Sequence, residues 1–106
     1  MSLAGFPGRM DMESGLREWS QTENAVLLDV RAPGEYHQGH LPGSVNLPLA
    51  LLDSADEIIP EPDTPVFVYC QSGGRSRRAA AMLAEMGYAC VKDLGGLDDY
   101  PGKVEQ

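Results

Sequence analysis

The sequence predicts an α/β domain built on a mainly parallel β-sheet. Residues 25–30 (AVLLDV) and 65–70 (PVFVYC) are short, continuous apolar runs, the pattern of strands that are buried on both faces. Segments with helical spacing alternate with these runs, and the connections between them are short. A chain of 106 residues has the size of one domain. We therefore expect a flexible tail over residues 1–11 and a single domain over residues 12–106.

Further segments complete the alternation of helices and strands. Residues 12–21 predict an amphipathic helix, because Leu16 and Trp19 lie three positions apart. Pro60 and Pro62 are expected to end the helix that precedes them. The other predicted elements, in chain order, are a short helix over 33–39, a strand over 44–48, a helix over 49–59 and a strand over 88–94.

The longest predicted helix covers residues 75–86, directly after the second apolar run. Its apolar residues predict one buried face, and Gly87 is a suitable terminator. That predicted face comprises Ala79, Met82, Leu83 and Met86. Parallel sheets bind ligands at the carboxyl ends of their strands. Cys70 ends one strand at that edge, and residues 29–31 end another.

Charge and cysteine content exclude several classes of function. The net charge of −8 argues against non-specific binding to nucleic acid or to an anionic membrane, since both require a basic surface. No run of residues approaches the roughly 20 apolar residues of a membrane span, and the first residues lack the layout of a secretory signal. We therefore expect a cytoplasmic protein with two free thiols, no metal and no cofactor. Cys90, between Ala89 and Val91, is expected to be buried within a strand.

Residues 70–78 (CQSGGRSRR) form the candidate site. Cys70 precedes a glycine-rich turn that opens a helix, so the N–H groups of residues 71–76 can converge on one point. Gly73 and Gly74 permit the backbone angles that such a turn requires. N–H groups and a helix N-terminus stabilise negative charge on the Cys70 sulfur, which makes this thiol a candidate nucleophile. The same pocket would bind a small oxyanion.

Three arginines follow the glycines, at Arg75, Arg77 and Arg78. Positive side chains at a helix N-terminus oppose the helix dipole, at a cost of roughly 0.3–1 kcal/mol each. Their placement is explained if an anion occupies the site, and Arg75, nearest to the glycines, is expected to point at it. A cysteine that ends a strand is often a core residue, and arginines in helices are often solvated. The combination of strand, cysteine, glycines and arginine favours the functional interpretation.

Several motifs together resemble the rhodanese family of sulfurtransferases. The resemblance spans most of residues 14–100. It is carried by Asp29-Val30-Arg31, Glu35-Tyr36, Gly39-His40-Leu41-Pro42-Gly43, Cys70 through Ser76, and the segment LGGLDDY at 94–100. It implies a mainly parallel sheet of about five short strands, flanked by helices on both faces.

The resemblance also implies a reaction. Cys70 would take the outer sulfur of thiosulfate or a similar small anionic donor, release sulfite and become a persulfide. A thiol or cyanide would then accept that sulfur in a double displacement. Arg75 would bind the oxyanion of the donor, and Ser76 would cap the helix start. The remaining loop residues, Gln71, Ser72, Gly73 and Gly74, would shape the binding site.

Other residues of the motifs are expected to support the loop. Asp29 and Arg31 would lie near it, with Arg31 either pairing with Glu35 or bracing the loop. His40 is expected to belong to a turn, with its ring hydrogen-bonded to the scaffold. The family chemistry requires no histidine base.

Two alternatives from other classes of function are weighed against an enzyme. One is a regulatory module that binds a partner without turnover, and the other is a carrier that receives sulfur from a relay protein. Phosphatase activity is not expected, because phosphatases of similar fold have His-Cys, five residues and then Arg. Here four residues separate Cys70 from Arg75, and Tyr69 precedes the cysteine.

Overall fold

The sheet contains four parallel strands in the order β2-β1-β3-β4. The computed structural model describes residues 10–100, 102 and 104–106. The strands are β1 (Val26–Asp29), β2 (Val45–Asn46), β3 (Val66–Cys70) and β4 (Val91–Gly96). The predicted α/β class with a parallel sheet is confirmed. The described residues form four strands rather than the expected number of about five.

Helical segments connect the strands. They are α1 (Met12–Ser20), α2 (Pro33–Gln38), α3 (Gly74–Glu85) and two 3-10 helices, Leu49–Glu57 and Leu97–Asp99. The helix predicted over 49–59 is of the 3-10 type, and Ser54 interrupts it with non-helical angles (φ −97°, ψ 17°). The strand predicted over 44–48 has only two residues, and Pro48 lacks the N–H that would extend it. Among the described residues, no helix has the length and apolar character to cross a membrane.

Alternation along β3 divides the core between the two faces of the sheet. Val66, Val68 and Cys70 point to the face that α3 covers. Phe67 and Tyr69 point to the opposite face, where α1 packs. Since successive side chains of a strand alternate between faces, the register of β3 decides that the Cys70 thiol lies beneath α3. Helices therefore flank the sheet on both faces, as predicted.

The buried face of α3 differs from the predicted one. Its buried residues are Ser76, Ala79, Ala80 and Leu83. Met82 and Met86 are 37% and 41% exposed, so assigning them to the core was wrong. The buried stripe follows the spacing i, i+3, i+4, i+7 from the first turn onward, and it leaves the two methionines at its margin. Gly87 ends the helix as predicted, with φ at 106°.

Cys90 also departs from its predicted environment. Strand β4 begins at Val91, so Cys90 precedes it, and its side chain is half-buried rather than buried. Its carbonyl accepts a hydrogen bond from the Val66 N–H at 2.9 Å. Cys90 thus contributes its backbone to the sheet while its thiol is not fully enclosed.

Two residues of the predicted tail contact the domain. The Met10 N–H donates to the Asp93 carbonyl at 2.7 Å, and the Asp11 side chain caps α1 through the Ser14 N–H at 3.2 Å. Residues 1–9 of that predicted tail lie outside the described residues. The boundary at residue 12 therefore stays a prediction.

The packing of α3 generates a test with a matched control. Leu83 is fully buried, so Leu83→Ala is expected to lower the free energy of unfolding by about 2–5 kcal/mol, because it removes buried contacts and leaves a cavity. Met86→Ala, on the exposed margin of the same helix, is expected to change it by less than about 1 kcal/mol. Urea unfolding of both variants measures the difference. Equal losses would contradict this assignment of the buried face.

Candidate active site

Cys70 lies where three structural elements meet. It is the last residue of β3, pairs in register with Gly96 of β4 and packs under the first turn of α3. The residue is 0% exposed. The carboxyl end of the parallel sheet therefore delivers this sulfur to the N-terminus of a helix, the arrangement that the sequence predicted.

Two backbone N–H groups contact the Cys70 sulfur. The Gly73 nitrogen lies 3.0 Å from Sγ and the Ser76 nitrogen 3.3 Å from it. Gly73 is the N-cap of α3 and has a left-handed φ of 104°, which side chains other than glycine adopt at a cost. Both donors, together with the positive end of the helix dipole, stabilise negative charge at this sulfur.

Ser76 does not cap the helix as predicted. It lies within the first turn of α3, where the N-cap is Gly73, a residue without a side chain. The Ser76 hydroxyl is buried and contacts the carbonyls of Gly73 at 3.1 Å and Gly95 at 3.3 Å. Ser76 therefore joins the loop to β4 and aims its own N–H at the sulfur.

Gly96 allows the loop to lie directly against the end of β4. A Cβ atom at Gly96 would stand 2.3 Å from the Gln71 carbonyl oxygen and 2.8 Å from the Ser72 carbonyl carbon. Because both contacts are with backbone, a side chain at this position would displace the loop. The predicted strand over 88–94 stops before Gly95 and Gly96, whereas both glycines belong to β4. Only the fold shows that the loop can approach β4 this closely because Gly96 has no side chain.

Gln71 ties the loop to both sides of its entrance. Its side-chain oxygen accepts from Arg31 Nη1 at 3.0 Å, and its side-chain nitrogen donates to Asp98 Oδ1 at 2.7 Å. The Asp98 N–H donates in turn to the Gln71 carbonyl at 3.0 Å. Sequence reasoning missed Asp98, and only its position soon after the glycine pair hinted at it. Ser72, the next residue, is exposed at the turn.

Asp29 and Arg31 form a buried ion pair next to the loop. Their side chains are 0% and 3% exposed, and Arg31 Nη2 lies 2.7 Å from Asp29 Oδ2. The same Nη2 donates to the Gly39 carbonyl at 2.7 Å. Burial acts to lower the pKa of Arg31, but the hydrogen bond and charge of Asp29 outweigh burial and raise it. Of the two predicted alternatives for Arg31, the structure shows the contact with the loop, through Gln71.

Glu35 pairs with Arg75, so the predicted Arg31–Glu35 pair is not formed. Arg75 Nη1 and Nη2 contact the two carboxylate oxygens of Glu35 at 2.6 and 2.9 Å. The hydrogen bond from Arg75 holds the pKa of Glu35 at about 2 and, with Glu35 as acceptor, raises the pKa of Arg75. Arg75 was expected to point at a bound anion. In the structure it reaches the site already paired with a carboxylate.

The remaining arginines and His40 lie away from the sulfur contacts. Arg77 and Arg78 are exposed on α3. The His40 ring contacts the Tyr36 carbonyl through Nδ1 at 2.8 Å and stacks on the Tyr36 ring with centroids 3.8 Å apart. The expected scaffold role of this ring is confirmed.

A groove of about 390 Å³ lies beside the loop. Its lining includes Arg31, Glu35 and Gln71, which hold the loop, together with Leu97. Over the described ranges, no three His, Cys, Asp or Glu residues are grouped to hold a metal ion. The chemical groups assembled here are a buried thiol, two N–H donors on its sulfur and two guanidinium groups paired with carboxylates. Such a set suits nucleophilic attack by sulfur and the stabilisation of anionic sulfur.

Comparison with known proteins places this site in a family. Residues 12–102 match the rhodanese-like domain. A protein named sulfurtransferase from Allochromatium vinosum is 39% identical over 87 residues, covering 82% of this chain and 80% of its own. The thiosulfate sulfurtransferase PspE of Escherichia coli is 40% identical over 73 residues, covering 68% of this chain and 70% of its own.

A solved structure agrees with the sequence matches. The structure described as rhodanese with anions from E. coli has a TM-score of 0.71 and 35% identity, and the match covers 77% of this chain and 98% of that one. Fold, site geometry and sequence agree over most of the chain. The chain belongs to the rhodanese-like domain family.

Proposed function

We propose that this protein is a sulfurtransferase that carries sulfane sulfur on Cys70 as a persulfide. The observation that carries the proposal is the pair of N–H groups, from Gly73 and Ser76, directed at the Cys70 sulfur. Fixed donors of this kind stabilise a thiolate and, after sulfur transfer, an anionic persulfide. The relatives named as sulfurtransferases support the same conclusion.

Thiosulfate is the proposed donor in the first half of the cycle. The Cys70 thiolate attacks the outer sulfur of thiosulfate, the sulfur–sulfur bond of the donor breaks, and its electron pair leaves on sulfite. Cys70 then bears a persulfide whose outer sulfur lies about 2 Å beyond Sγ. The similarity to an E. coli thiosulfate sulfurtransferase supports this choice of donor.

A thiol or cyanide completes the cycle. The acceptor attacks the outer persulfide sulfur, and the electron pair of the breaking bond returns to Cys70 as thiolate. The products are a new persulfide or thiocyanate. The cycle needs no cofactor and no external oxidant or reductant. We expect it to run in the cytoplasm, where reducing conditions keep cysteine thiols free.

Arg75 is proposed to bind the oxyanion of the donor while paired with Glu35. A guanidinium carries five N–H donors, and the two contacts to Glu35 use one donor on each of Nη1 and Nη2. The remaining donors are available to an anion. Glu35 orients the guanidinium but also reduces its net attraction for a dianion. Gln71 and Ser72, at the turn, are proposed to tune the choice of donor.

The first prediction separates the two cysteines. After incubation with thiosulfate, the intact mass of the wild-type protein is expected to rise by one sulfur atom, and cyanide is expected to remove the gain. Cys70→Ala is expected to show no gain, because it lacks the attacking sulfur. Cys90→Ala, the matched control, is expected to gain sulfur like the wild type. A lost gain in Cys90→Ala alone would show that the wrong thiol was chosen.

The second prediction concerns the charge at the donor site. Arg75→Ala is expected to raise the KM for thiosulfate about tenfold, because a charge-assisted contact is lost, and to lower Tm about as much as Glu35→Gln does, since both changes break the same ion pair. Glu35→Gln is expected to lower that KM, because it removes the charge that partly neutralises Arg75. Steady-state kinetics with cyanide as acceptor measures both.

Glu18→Gln provides the control for the loss of an ion pair. Glu18, on α1, contacts Lys92 of β4 at 3.2 Å, away from the loop. The KM of Glu18→Gln for thiosulfate is therefore expected to match that of the wild type. An increase in the KM of Glu35→Gln would show that Glu35 is needed for donor binding and would contradict its proposed neutralising effect on Arg75. Unfolding of Arg75→Ala would remove the support for an anion-binding role.

The third prediction follows from the lowered pKa of Glu35. A carboxylate whose pKa falls from 4.5 to about 2 on folding stabilises the folded state above pH 4.5, and this contribution is lost as the pH falls towards 2. The difference in Tm between wild type and Glu35→Gln is therefore expected to stay constant from pH 8 to pH 5. It is expected to shrink from pH 4.5 downward. A difference that changed between pH 5 and pH 8 would contradict the pairing.

A further inference from the structure

The arginines that follow the loop serve different purposes. Arg75 is paired with Glu35 and is proposed to bind the sulfur donor. Arg77 and Arg78 are exposed, and within the described ranges neither has a carboxylate at salt-bridge distance. Two positive charges near a helix N-terminus oppose the dipole, and the sulfur chemistry does not use them. Their placement therefore calls for another partner.

Arg78 borders a groove of about 530 Å³ between α3 and the start of the first 3-10 helix. We call it the α3 groove. It is lined by Val30, Ala32, Pro48, Leu49, Ala50 and Met82, with Arg75 and Arg78 at its charged margin. None of these lining residues is acidic, although the chain has 16 Asp and Glu residues. On an acidic protein, this apolar surface with arginines at its edge is complementary to an acidic ligand.

The apolar surface extends beyond the groove along α3. Arg75, Arg78, Met82 and Met86 follow one another at spacings of three or four residues, so they share one side of the helix. At a rise of 1.5 Å per residue, the strip from Arg75 to Met86 is about 16 Å long. Met82 and Met86 are both more than one-third exposed. A strip of this length accommodates about five residues of extended peptide and is longer than a small thiol.

The α3 groove lies next to the active site, separated from the groove beside the loop by the Arg75–Glu35 ion pair. Arg75 lines the α3 groove and contacts Glu35, which lines the groove beside the loop. The next residue, Ser76, donates its N–H to the Cys70 sulfur. A peptide that extends from the groove past Arg75 would therefore carry a cysteine towards the first turn of α3, beneath which the persulfide forms.

We propose that the α3 groove docks an acidic segment of a partner protein whose cysteine accepts sulfur from Cys70. This inference rests on the proposed persulfide chemistry and identifies its acceptor. The thiolate of the segment attacks the outer sulfur of the Cys70 persulfide and becomes a persulfide itself, while Cys70 leaves as thiolate. Carboxylates of the segment pair with Arg78, and its apolar side chains cover Leu49 and Met82.

Two capped peptides, EELCLEE and QQLCLQQ, test the inference as acceptors. The wild-type protein is first loaded with thiosulfate, and mass spectrometry then follows the gain of one sulfur by each peptide. At low ionic strength the glutamate peptide is expected to react about tenfold faster, because charge complementarity raises the association rate. Arg78→Glu is expected to abolish this advantage and Arg78→Lys to keep most of it. Transfer to cyanide is expected to be unchanged in both variants.

Arg17→Glu is the matched control. Arg17 is exposed on α1, a helix on the opposite face of the sheet, and the substitution makes the same change in net charge. The glutamate peptide is expected to keep its advantage with this variant. Equal rates for the two peptides, or an equal loss in Arg17→Glu and Arg78→Glu, would overturn the proposal. If mercaptosuccinate also accepts sulfur about tenfold faster from the wild type than from Arg78→Glu, the groove would be assigned to small anionic thiols instead.

A binding measurement keeps the groove testable apart from the chemistry. Fluorescent versions of the two peptides, with serine in place of cysteine, are titrated into Cys70→Ala, which carries no persulfide. The glutamate peptide is expected to bind more tightly, and an added Arg78→Glu substitution is expected to remove the difference. Failure of wild-type Cys70 to load from thiosulfate, with this binding intact, would reject the proposed donor reaction and retain the groove. Loading without selective binding would reject the groove alone.

Discussion

The buried ion pair between Asp29 and Arg31 is the interaction on which the site depends. Its guanidinium joins three segments, because it contacts Asp29 at the end of β1, the Gly39 carbonyl after α2 and the Gln71 side chain of the loop. Removing one partner of such a pair typically costs about 3–5 kcal/mol, since a charge is left buried alone. Within the described ranges, every buried side-chain N or O atom has a hydrogen-bond partner. The pair therefore links the loop to the end of β1 and to the segment after α2.

Backbone N–H groups contact the sulfur at this site, whereas the charged side chains pair with one another beside it. Arg31 and Arg75 are each paired with a carboxylate, whereas the N–H groups of Gly73 and Ser76 contact Sγ directly. Backbone donors carry no net charge and are held by the helix, so they stabilise anionic sulfur without attracting every anion. A protein with a net charge of −8 repels anions in general. The loop, with its N–H groups, and the α3 groove, with its arginines, are local sites that attract anions.

Much of the site was predictable because its residues are close in sequence. A strand, a cysteine, two glycines and a helix predict converging N–H groups from local geometry alone. The contacts of Arg75 were not predictable in this way, because Glu35 lies 40 positions earlier and meets it only when β1 and β3 pair. The same applies to Gly96, whose missing side chain matters only because the loop folds against β4. Periodicity also misplaced Met82 and Met86, since it locates an apolar stripe but not the margin where packing ends.

By itself, the sequence determined the α/β class, the order of helices and strands, and the position of Cys70 at the carboxyl end of a buried strand. These properties follow from alternation, helical spacing and backbone chemistry, which act over short ranges of the chain. Only the tertiary structure decided which carboxylates pair with Arg31 and Arg75, how Gln71 and Asp98 fasten the loop, and which arginines border the α3 groove. Those contacts join residues that are distant in sequence. Their geometry is therefore set by the packing of the sheet and its helices and not by any local pattern.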